Sequence, residues 1–548
     1  MLTPDQQTAL DGIKDFIYNK PDRCAILYAA AGCGKTYLTR VIVNELRGTH
    51  RVAGVAPTHK ARKVLDKFLN ENSLAKIKTM TIASLLSKVR AHSYIGTKRY
   101  VRGADTKMTN FDVFLIDEAS MISDIDVDLI MNYAEEFKRK ILFIGDKYQI
   151  PNPSQKFALI DGIASKKDSK AFDLPLGFPL TTVVRQGADN PIIDIYTEIR
   201  DAITEKREPQ LCRDDQVAGD NGVRFYTSRE DWYKVIQDAY MAVSAENKPL
   251  HKTRIIAYTN DSVKSHNTMI RRLFKRGPKP EIGELLMGYN NIGWPVPKIE
   301  NSQDYYVKDA THTTLHKVCP ENNHVFRRLV GDLLTLAEPD STKTSTIFVP
   351  ELSAPENQAM LQELVLRAEK VNRNRSTKND FKHYSNLKNL LVFMEPVYKF
   401  NDEIIGEAEF RLQNPLLFKP VEDVIEDLDE GDRSILENQL VQDIQAKYGE
   451  DMLQSRASDD KPISGSERLS DRYCVIEKDL DYGVCITSHK SQGSNFETVF
   501  IDEADFDKLR SFWSFTLDCK VDSSKERNQL KYVSYTRPSK MAHVYYRQ

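Results

Sequence analysis

The stretch Ala25-Ile-Leu-Tyr-Ala-Ala-Ala-Gly-Cys-Gly-Lys-Thr36 contains an apolar run, a glycine-rich turn and the first residue of a helical pattern. The apolar run predicts a buried strand over residues 25–28, and the pattern of residues 36–46 predicts a helix. The turn nearly matches G-x-x-x-x-G-K-[ST], with Ala29 in place of the first glycine. This strand–loop–helix unit indicates a loop that binds nucleotide phosphates at the edge of a parallel sheet.

The residue types of this loop suit triphosphate oxygens. Backbone N–H groups that converge at a helix N-terminus bind such oxygens, and Gly32 and Gly34 let the backbone adopt positive φ and approach them closely. Lys35 would place its charge on the β- and γ-phosphates, and the Thr36 hydroxyl would bind Mg²⁺. The predicted nucleotide-binding residues of the loop are Ala31, Gly32, Cys33, Gly34, Lys35 and Thr36.

A second apolar run, residues 113–116, is followed directly by two acids, Asp117 and Glu118. Because nucleotides bind at the carboxyl edge of such sheets, we expect both carboxylates to lie near the phosphate loop. Asp117 would hold Mg²⁺ through water, and Glu118 would orient and deprotonate an attacking water. The alternative is a strand that ends in a solvated acidic turn.

Strands alternate with helices over the first 185 residues, which predicts a parallel sheet with helices on both faces. Further strands are predicted at residues 253–258, 482–487, 498–502 and 542–546. We therefore expect an α/β protein with a first domain over 1–185, a second over 186–276 plus 473–548, and an insertion over 277–472. The length of 548 residues suits three or four domains.

The composition excludes several classes of protein. Hydrophobic residues make up 41% and charged residues 28% of the chain, which suits packed cores and not wholesale disorder. A net charge of −2 excludes a protein covered in basic charge, although a local basic groove is compatible with it. We expect no membrane span and no secretion signal, and hence a cytoplasmic location. Seven cysteines without a CxxC pair predict neither disulfides nor a zinc site.

Seven further motifs occur in a fixed order, and with them the sequence resembles the superfamily 1B DNA helicases, most closely the Dda-like and RecD-like members. In chain order the motifs are Leu2-Thr-Pro-Asp-Gln-Gln, Val55-Ala-Pro-Thr-His-Lys-Ala, Thr81-Ile-Ala-Ser-Leu-Leu, Phe143-Ile-Gly-Asp-Lys-Tyr-Gln, Leu180-Thr-Thr-Val-Val-Arg-Gln, Thr487-Ser-His-Lys-Ser-Gln-Gly and Tyr532-Val-Ser-Tyr-Thr-Arg-Pro.

The resemblance implies two RecA-like domains that bind ATP and Mg²⁺, and an SH3-like fold within the insertion. It also implies that Gln6 reads adenine, that Gln149 senses the γ-phosphate and that Gly493 binds nucleotide. Arg185 and Arg537 would stabilise the charge that develops on the transferred phosphoryl group. The alternative for each arginine is an interdomain or surface ion pair.

Polar residues at predicted strand and helix ends are candidate contacts to nucleic-acid phosphates, since hydroxyls and imidazoles bind phosphates without reading sequence. Each of them also suits an ordinary capping or turn position. The candidates are Thr58, His59, Thr81, Ser84, Asn260 and His489.

Residues 88–107 predict a basic β-hairpin inserted in the first domain at about residues 85–110. Tyr94 and Tyr100 are interleaved with its Lys and Arg residues, which suits a single-strand track or a strand-separating pin, the alternative being a solvated hairpin. In the insertion, Trp294, Tyr305 and Tyr306 are candidates for stacking on bases or for core packing.

These observations predict an ATP- and Mg²⁺-dependent DNA helicase that is stimulated by single strands. The resemblance implies 5′→3′ movement, and we expect a monomer in a prokaryotic or phage-infected cell. Its predicted partners are single-stranded DNA and its junctions with duplex, with a single-strand-binding protein or replisome components as further candidates. The alternatives are the same motor acting on RNA, a translocase that strips proteins without unwinding, and a nucleotide-gated binding module without motor output.

Cys33 lies beside Lys35 at a predicted helix N-terminus, surroundings that favour a thiolate. We therefore expect alkylation of Cys33 to block ATP binding. The alternative is an inert small residue.

Overall fold

The computed structural model describes residues 2–547 except 72–75, 88, 93–97, 102–105, 153–154, 156, 161–162, 183, 185–189, 294–296, 319–324, 340, 373–377, 401–402, 416–472 and 515–518. Arg185, Lys88, Tyr94, Trp294 and the acidic run within residues 422–432 lie outside the described residues.

The first lobe, residues 2–182, is built on a six-stranded sheet of order β10-β1-β7-β6-β2-β3, in which every neighbouring pair is parallel. Its strands are β1 (Cys24–Ala29), β2 (Val52–Ala56), β3 (Lys78–Thr81), β4 (Val89–His92), β5 (Lys98–Val101), β6 (Val113–Ile116), β7 (Lys140–Gly145), β8 (Phe157–Ile160), β9 (Ile163–Lys166) and β10 (Gly177–Leu180). Its helices are α1 (Pro4–Tyr18), α2 (Lys35–Leu46), α3 (His59–Asn70), α4 (Ile82–Leu85) and α5 (Asp124–Glu136), with 3₁₀ turns at Lys107–Asn110, Ala119–Met121 and Lys170–Asp173.

Helices cover both faces of this sheet. Phe16, Leu38 and Leu65 pack α1, α2 and α3 on one face, and Val127 and Ile130 pack α5 on the other. All of these side chains are at most 2% exposed, because strands buried on both sides need apolar cover from both sides. The predicted α/β fold with a parallel sheet is therefore confirmed. The predicted hairpin insertion is the antiparallel pair β4–β5.

The second lobe, residues 190–276 and 483–547, is built on a six-stranded sheet, parallel except for its first strand. Its strand order is β11-β12-β26-β23-β13-β22, where β22 is Cys485–Thr487, β23 is Phe496–Asp502 and β26 is Pro538–Tyr545. It begins with β11 (Gln216–Ala218), β12 (Asn221–Tyr226), β13 (Thr253–Ala257), α6 (Ile192–Glu205), α7 (Arg229–Ala245), α8 (Asn260–Leu273) and a 3₁₀ turn at Leu250–Lys252.

The accessory segment, residues 277–482, separates the two parts of the second lobe. Its five-stranded sheet has the order β17-β16-β15-β14-β21, and its three-stranded sheet the order β19-β18-β20. Its elements are β14 (Leu285–Gly288), β15 (Asp304–Val318), β16 (Val325–Ala337), β17 (Thr344–Pro350), α9 (Pro355–Asn372), α10 (Lys378–Leu390), β18 (Val397–Phe400), β19 (Glu403–Gly406), α11 (Glu407–Gln413), β20 (Cys474–Ile476) and β21 (Leu480–Tyr482).

The second lobe resumes after this segment with its remaining elements. They are β22 (Cys485–Thr487), α12 (Ser488–Ser491), β23 (Phe496–Asp502), α13 (Glu503–Phe506), β24 (Phe512–Ser514), β25 (Cys519–Val521), α14 (Ser524–Tyr535) and β26 (Pro538–Tyr545).

The strand predicted over residues 482–487 is two strands. β21 pairs with β14 in the accessory sheet, and β22 pairs with β13 in the second lobe. Gly483 lies between them, and a Cβ there would stand only 3.1 Å from the backbone of Leu286. Close backbone approach at a glycine lets the chain pass from one sheet to the next within three residues.

A small mixed sheet joins the lobes, because β9 of the first lobe pairs with β25 of the second. Two ion pairs accompany it, Lys166 with Glu526 at 3.0 Å and Lys525 with Asp168 at 2.8 Å. The lobes are thus connected at one side by strand pairing and ion pairs.

Lys63 on α3 connects the first lobe to the accessory segment. Its Nζ donates to both carboxylate oxygens of Glu338, at 3.0 and 2.9 Å, and forms an ion pair with Glu300 at 2.8 Å. The Glu300 contact lacks hydrogen-bond geometry, so it acts through charge alone. Both glutamates are largely buried and share this cation, and Glu338 has a second ion-pair partner in Lys343 at 3.5 Å.

We predict that Lys63→Ala loosens the accessory segment. The largely buried Glu300 and Glu338 would then lose the cation that they share, and only Glu338 would keep a second partner, Lys343, at a loss of about 1–3 kcal/mol in local stability. Hydrogen–deuterium exchange in residues 300–307 should accelerate by at least about fivefold. Lys67→Ala, one turn further along α3 and exposed, is the matched control and should leave that exchange unchanged; equal acceleration in both variants would contradict the role of Lys63.

Candidate active site between the two lobes

The phosphate loop connects the end of β1 to the start of α2, as the sequence predicts. Gly32 and Gly34 have φ of 84° and 77°, the left-handed region that favours glycine. Gly34 is the N-cap of α2, and a Cβ there would stand 2.6 Å from Nε2 of Gln6. Ala29 belongs to β1, so the replacement of the motif's first glycine falls on an ordinary extended residue.

Lys35 lies over this loop. Its Nζ donates to the backbone oxygens of Ala29 at 2.7 Å and Ala30 at 3.1 Å, and Asp146 Oδ2 is 3.8 Å away. The ammonium group is thus held at the concave side of the loop, where phosphate oxygens bind in such loops. Thr36 is the second residue of α2 and is exposed.

Asp117 and Glu118 stand directly after β6, within electrostatic reach of Lys35. Glu118 has a φ of 53°, an uncommon conformation for a residue with a side chain, and its N–H donates to Asp117 Oδ1 at 2.9 Å. Burial, and after it the charge of Asp117, raises the pKa of Glu118 to about 7, while Lys35 and Arg537 act in the opposite direction. Burial also raises the pKa of Asp117. A carboxylate with a pKa near neutrality is suited to accept a proton from water.

The second lobe faces these carboxylates. Arg537 is buried, and its charge reaches Glu118 across the cleft. Its Nε donates to Val533 O at 2.8 Å, and its Nη1 donates to Ser494 O at 3.1 Å. A Cβ added to Gly493 would lie 3.4 Å from Glu118 Oε1, so this glycine also stands against the acid. Residues of both lobes therefore surround the space beside Lys35.

Two glutamines complete the inner side of the site. Gln6 donates from Nε2 to Cys33 O at 3.1 Å and forms a capping box with Thr3, so it ties α1 to the phosphate loop. Gln149 is buried, and among the described residues its Oε1 has no hydrogen-bond partner. A buried acceptor without a donor is costly, which marks this position as one that a ligand or water would complete.

Tyr532 and Asp146 also belong to the site. Both occur within the sequence motifs, but the sequence predicted no role for either. The hydroxyl of Tyr532 on α14 accepts from Ala31 N–H at 2.8 Å and donates to Asp146 Oδ2 at 2.9 Å. Asp146 follows β7 and also accepts from Tyr148 N–H at 3.0 Å. Asp146 lies in the fourth of the seven motifs and Tyr532 in the last, and these positions are the sequence signal for them, since no spacing rule brings Tyr532 to the phosphate loop.

The expectation of a reactive Cys33 is wrong. The side chain is 1% exposed and packs in the core of the first lobe. Burial raises the pKa of its thiol, and the opposing effect of Lys35 is smaller. Its backbone oxygen accepts from Gln6, so Cys33 contributes to the loop through its main chain.

The candidate nucleic-acid contacts of the first lobe lie at helix N-termini. Thr58 and Thr81 are N-caps that accept from Ala61 N–H at 3.1 Å and Ser84 N–H at 3.2 Å. His59 is half-buried, and burial lowers its pKa, against the nearby charge of Glu300. Ser84 Oγ accepts from Lys107 at 2.7 Å. The capping roles are compatible with phosphate contacts, which stay predictions.

In the second lobe, Asn260 is exposed in the first turn of α8, where the N-cap is Thr259. Burial lowers the pKa of His489 to about 4, so any phosphate contact it makes is that of a neutral imidazole. The neighbouring Lys490 was missed from the sequence: it donates to Asn301 Oδ1 at 2.9 Å, and burial together with Lys60 lowers its pKa to about 7.

The aromatic candidates divide between the two interpretations. Tyr305 is 2% exposed in the accessory core and accepts from Glu300 N–H at 2.8 Å, so stacking of Tyr305 on bases is wrong. Tyr306 accepts from His251 N–H at 3.1 Å. Tyr100 belongs to β5, where only the backbone is described.

Within the described part of the chain, no helix is long and apolar enough to cross a membrane.

Comparisons with known proteins agree with this site. Residues 1–214 match the family model described as AAA domain. The chain is 22% identical over 532 residues to an uncharacterized protein of Acanthamoeba polyphaga mimivirus, covering 92% of this chain and 94% of that protein. It is 27% identical over 327 residues to the ATP-dependent DNA helicase dda of Enterobacteria phage T4, covering 57% of this chain and 69% of the relative.

The chain is also similar to solved structures of helicases. The Pif1 helicase of Candida albicans aligns with 99% of this chain and 94% of that chain, at 13% identity and a TM-score of 0.42. The Bacteroides Pif1 helicase in complex with ADP-AlF3 and ssDNA aligns with 99% and 92%, at 12% identity and a TM-score of 0.42. Scores of this size do not bear on function. The family match and the phage relative agree with the predicted resemblance to superfamily 1B helicases of the Dda-like type.

We predict that Cys212, which is exposed, is alkylated by iodoacetamide far faster than Cys33 in the native chain. The reason is that the Cys33 thiol is both enclosed and held in its protonated form by burial. Mass spectrometry of the two peptides over time measures the ratio of the rates. In denaturant the two rates should converge; rapid native labelling of Cys33 would contradict its burial.

Proposed function

We propose that this chain is an ATP-dependent DNA helicase that moves 5′→3′ along single-stranded DNA. The observation that carries the proposal is the two-sided cleft at Lys35. The first lobe supplies the phosphate loop and Glu118, and the second lobe supplies Gly493, Tyr532 and Arg537. When a nucleotide is enclosed by both lobes, its hydrolysis changes the contacts between them and so can change their relative position.

The residues of the cleft have distinct roles in hydrolysis. Glu118, with its pKa near neutrality, accepts the proton of the attacking water. Arg537 supplies positive charge from the second lobe as charge develops on the γ-phosphoryl group. Lys35 holds the β- and γ-phosphates, and Gln149 offers its free Oε1 to the water. Arg185 is proposed as a second arginine at the same phosphate on the resemblance alone.

The donor set of the site fits Mg²⁺. Magnesium in such sites is held by one or two protein oxygens together with substrate phosphates, and Thr36 and Asp117 provide a hydroxyl and a carboxylate near Lys35. When bound, the ion would neutralise phosphate charge. Its positive charge would also favour the ionised form of Asp117, whose pKa burial otherwise raises.

Movement along the strand follows from the connection between the lobes. Because β9 and β25 pair at one side, opening of the cleft is a rotation about that side. The proposed strand contacts of Thr58, His59, Thr81 and Ser84 lie on the first lobe, and those of Asn260 and His489 on the second. Rotation would therefore change the distance between two sets of phosphate contacts, which is the requirement for stepping.

DNA is the proposed substrate because the phage relative is named a DNA helicase. The 5′→3′ direction is proposed from the motif resemblance. Single-strand–duplex junctions are the proposed site of action, with a single-strand-binding protein or replisome components as further partners and a monomer as the working form. An RNA motor, a translocase without unwinding and a binding module without motor output are the outcomes that the tests below distinguish.

We predict that Glu118→Gln retains ATP binding and loses at least about 100-fold in kcat, because the amide cannot accept the proton. In the unaltered chain kcat should rise with pH through about 7, since Glu118 must be deprotonated to act as a base and its pKa lies there. Hydrolysis is followed by phosphate release, and binding by a fluorescent ATP analogue. Glu136→Gln, exposed on α5, is the control; wild-type turnover in Glu118→Gln would remove the acid from this role.

We predict that the chain unwinds a DNA duplex with a 5′ single-stranded tail and leaves one with a 3′ tail intact. The assay follows release of a labelled strand in ATP, with DNA and RNA tails of both polarities. Release from RNA-tailed duplexes would favour an RNA motor. Strand-stimulated hydrolysis with displacement of a bound streptavidin but no unwinding would favour a translocase, and hydrolysis indifferent to any strand would favour a binding module.

A further inference from the structure

The hydroxyl of Tyr532 occupies a backbone donor of the phosphate loop. Tyr532 is fully buried on α14 of the second lobe, and its hydroxyl accepts from Ala31 N–H at 2.8 Å while it donates to Asp146 Oδ2 at 2.9 Å. Both partners belong to the first lobe. The phenol is therefore a direct polar link between the lobes at the phosphate loop itself.

The position of this link along the loop identifies the part of a nucleotide that meets it. Asp146 Oδ2, which accepts from the phenol, is 3.8 Å from Lys35 Nζ, and Lys35 is the residue that holds the β- and γ-phosphates in such loops. Ala31 lies four residues before Lys35, on the side of the loop away from α2. The helix N-terminus takes the phosphates nearer the nucleoside, so the phenol lies at the γ-phosphate end.

A backbone N–H makes one strong hydrogen bond. A phosphate oxygen is charged and is a stronger acceptor than a neutral phenol, so a triphosphate that reaches Ala31 would replace the tyrosine. A diphosphate ends before this position and would leave the link in place. The Tyr532–Ala31 bond thus distinguishes the two nucleotides by whether it must break.

We infer that Tyr532 is a γ-phosphate sensor that links the lobes through Ala31 in the absence of a triphosphate and is displaced from Ala31 when one binds. The inference rests on the proposed function and adds a positioning residue to it. Tyr532 keeps its bond to Asp146 in both states, so release from Ala31 alters only the contact that crosses to the loop. Hydrolysis and loss of phosphate then restore the link.

A purely structural role would have a different signature. Without the phenol, Asp146 would lose a donor and be drawn toward Lys35, which would weaken binding of ADP and of a triphosphate alike. Loss of the Ala31 bond, in contrast, removes a competitor that only the triphosphate meets. The ratio of the two affinities therefore separates the sensor from a general effect on the site.

The experiment measures the Kd of ADP and of the non-hydrolysable triphosphate AMP-PNP by calorimetry, with Mg²⁺, for the unaltered chain and for Tyr532→Phe. The sensor predicts that Tyr532→Phe raises the ratio of the ADP Kd to the AMP-PNP Kd by about three- to tenfold, the range expected for one removed hydrogen bond. The matched control is Tyr535→Phe on the same helix, whose buried hydroxyl donates to Glu503 at 2.6 Å within the second lobe; its ratio should not change. An unchanged or lowered ratio in Tyr532→Phe overturns the inference.

These measurements need no hydrolysis, so the inference and the proposed function fail separately. If the unaltered chain binds nucleotides but does not hydrolyse ATP, the proposed function is wrong while the ratio still tests Tyr532. Should Tyr532→Phe fail to fold, 3-fluorotyrosine placed at position 532 keeps the hydroxyl and reports its surroundings by ¹⁹F NMR. Its resonance should move on addition of AMP-PNP but not of ADP; the same response to both nucleotides overturns the inference.

Discussion

The backbone N–H groups in the first turn of α2 have no acceptor within the helix, and this constraint shapes the surrounding site. Gly32 and Gly34 turn the loop so that these donors converge, and Gln6 holds the loop from behind through Cys33 O. Lys35 adds a cation to a surface that already favours anions. Protein groups also bind at this loop: Ala29 O accepts from Lys35 Nζ, and the Tyr532 hydroxyl accepts from Ala31 N–H.

The same concentration of donors explains the chemistry of the acids opposite. Asp117 and Glu118 are neighbours in a partly enclosed site, and desolvation, followed by the charge of Asp117, raises the pKa of Glu118. Lys35 and Arg537 limit that shift, and Arg537 comes from the other lobe. The protonation of Glu118 thus depends on how closely the second lobe approaches. In the proposed reaction, closure of the cleft would therefore favour deprotonation of Glu118 through electrostatics.

Local patterns predicted the parts of the molecule that local physics determines. The phosphate loop, the acids after residue 116 and the alternation of strands and helices all follow from short stretches whose residue types have one explanation. Burial of Cys33 does not follow from its local sequence, because it depends on packing by distant core residues. The Tyr532–Ala31 contact joins residues 501 positions apart, and the break at Gly483 depends on which sheet accepts each strand. Arg185 and most of the basic hairpin's side chains stay predictions.

The accessory segment places negative charge where the motif resemblance places a nucleic-acid strand. Glu300 lies beside His59 and forms an ion pair with Lys63, and Asn301 accepts from Lys490. Burial, together with the charge of Lys60, lowers the pKa of Lys490 to about 7, so a polyanion nearby would restore its charge. A nucleic-acid strand that reaches α3 must compete with the accessory carboxylates for Lys63. At Lys490 it would compete only with the neutral amide of Asn301. We therefore expect a nucleic-acid strand to bind less favourably at Lys63 of the first lobe than at Lys490 of the second. The strand contacts of the two lobes would then differ in strength.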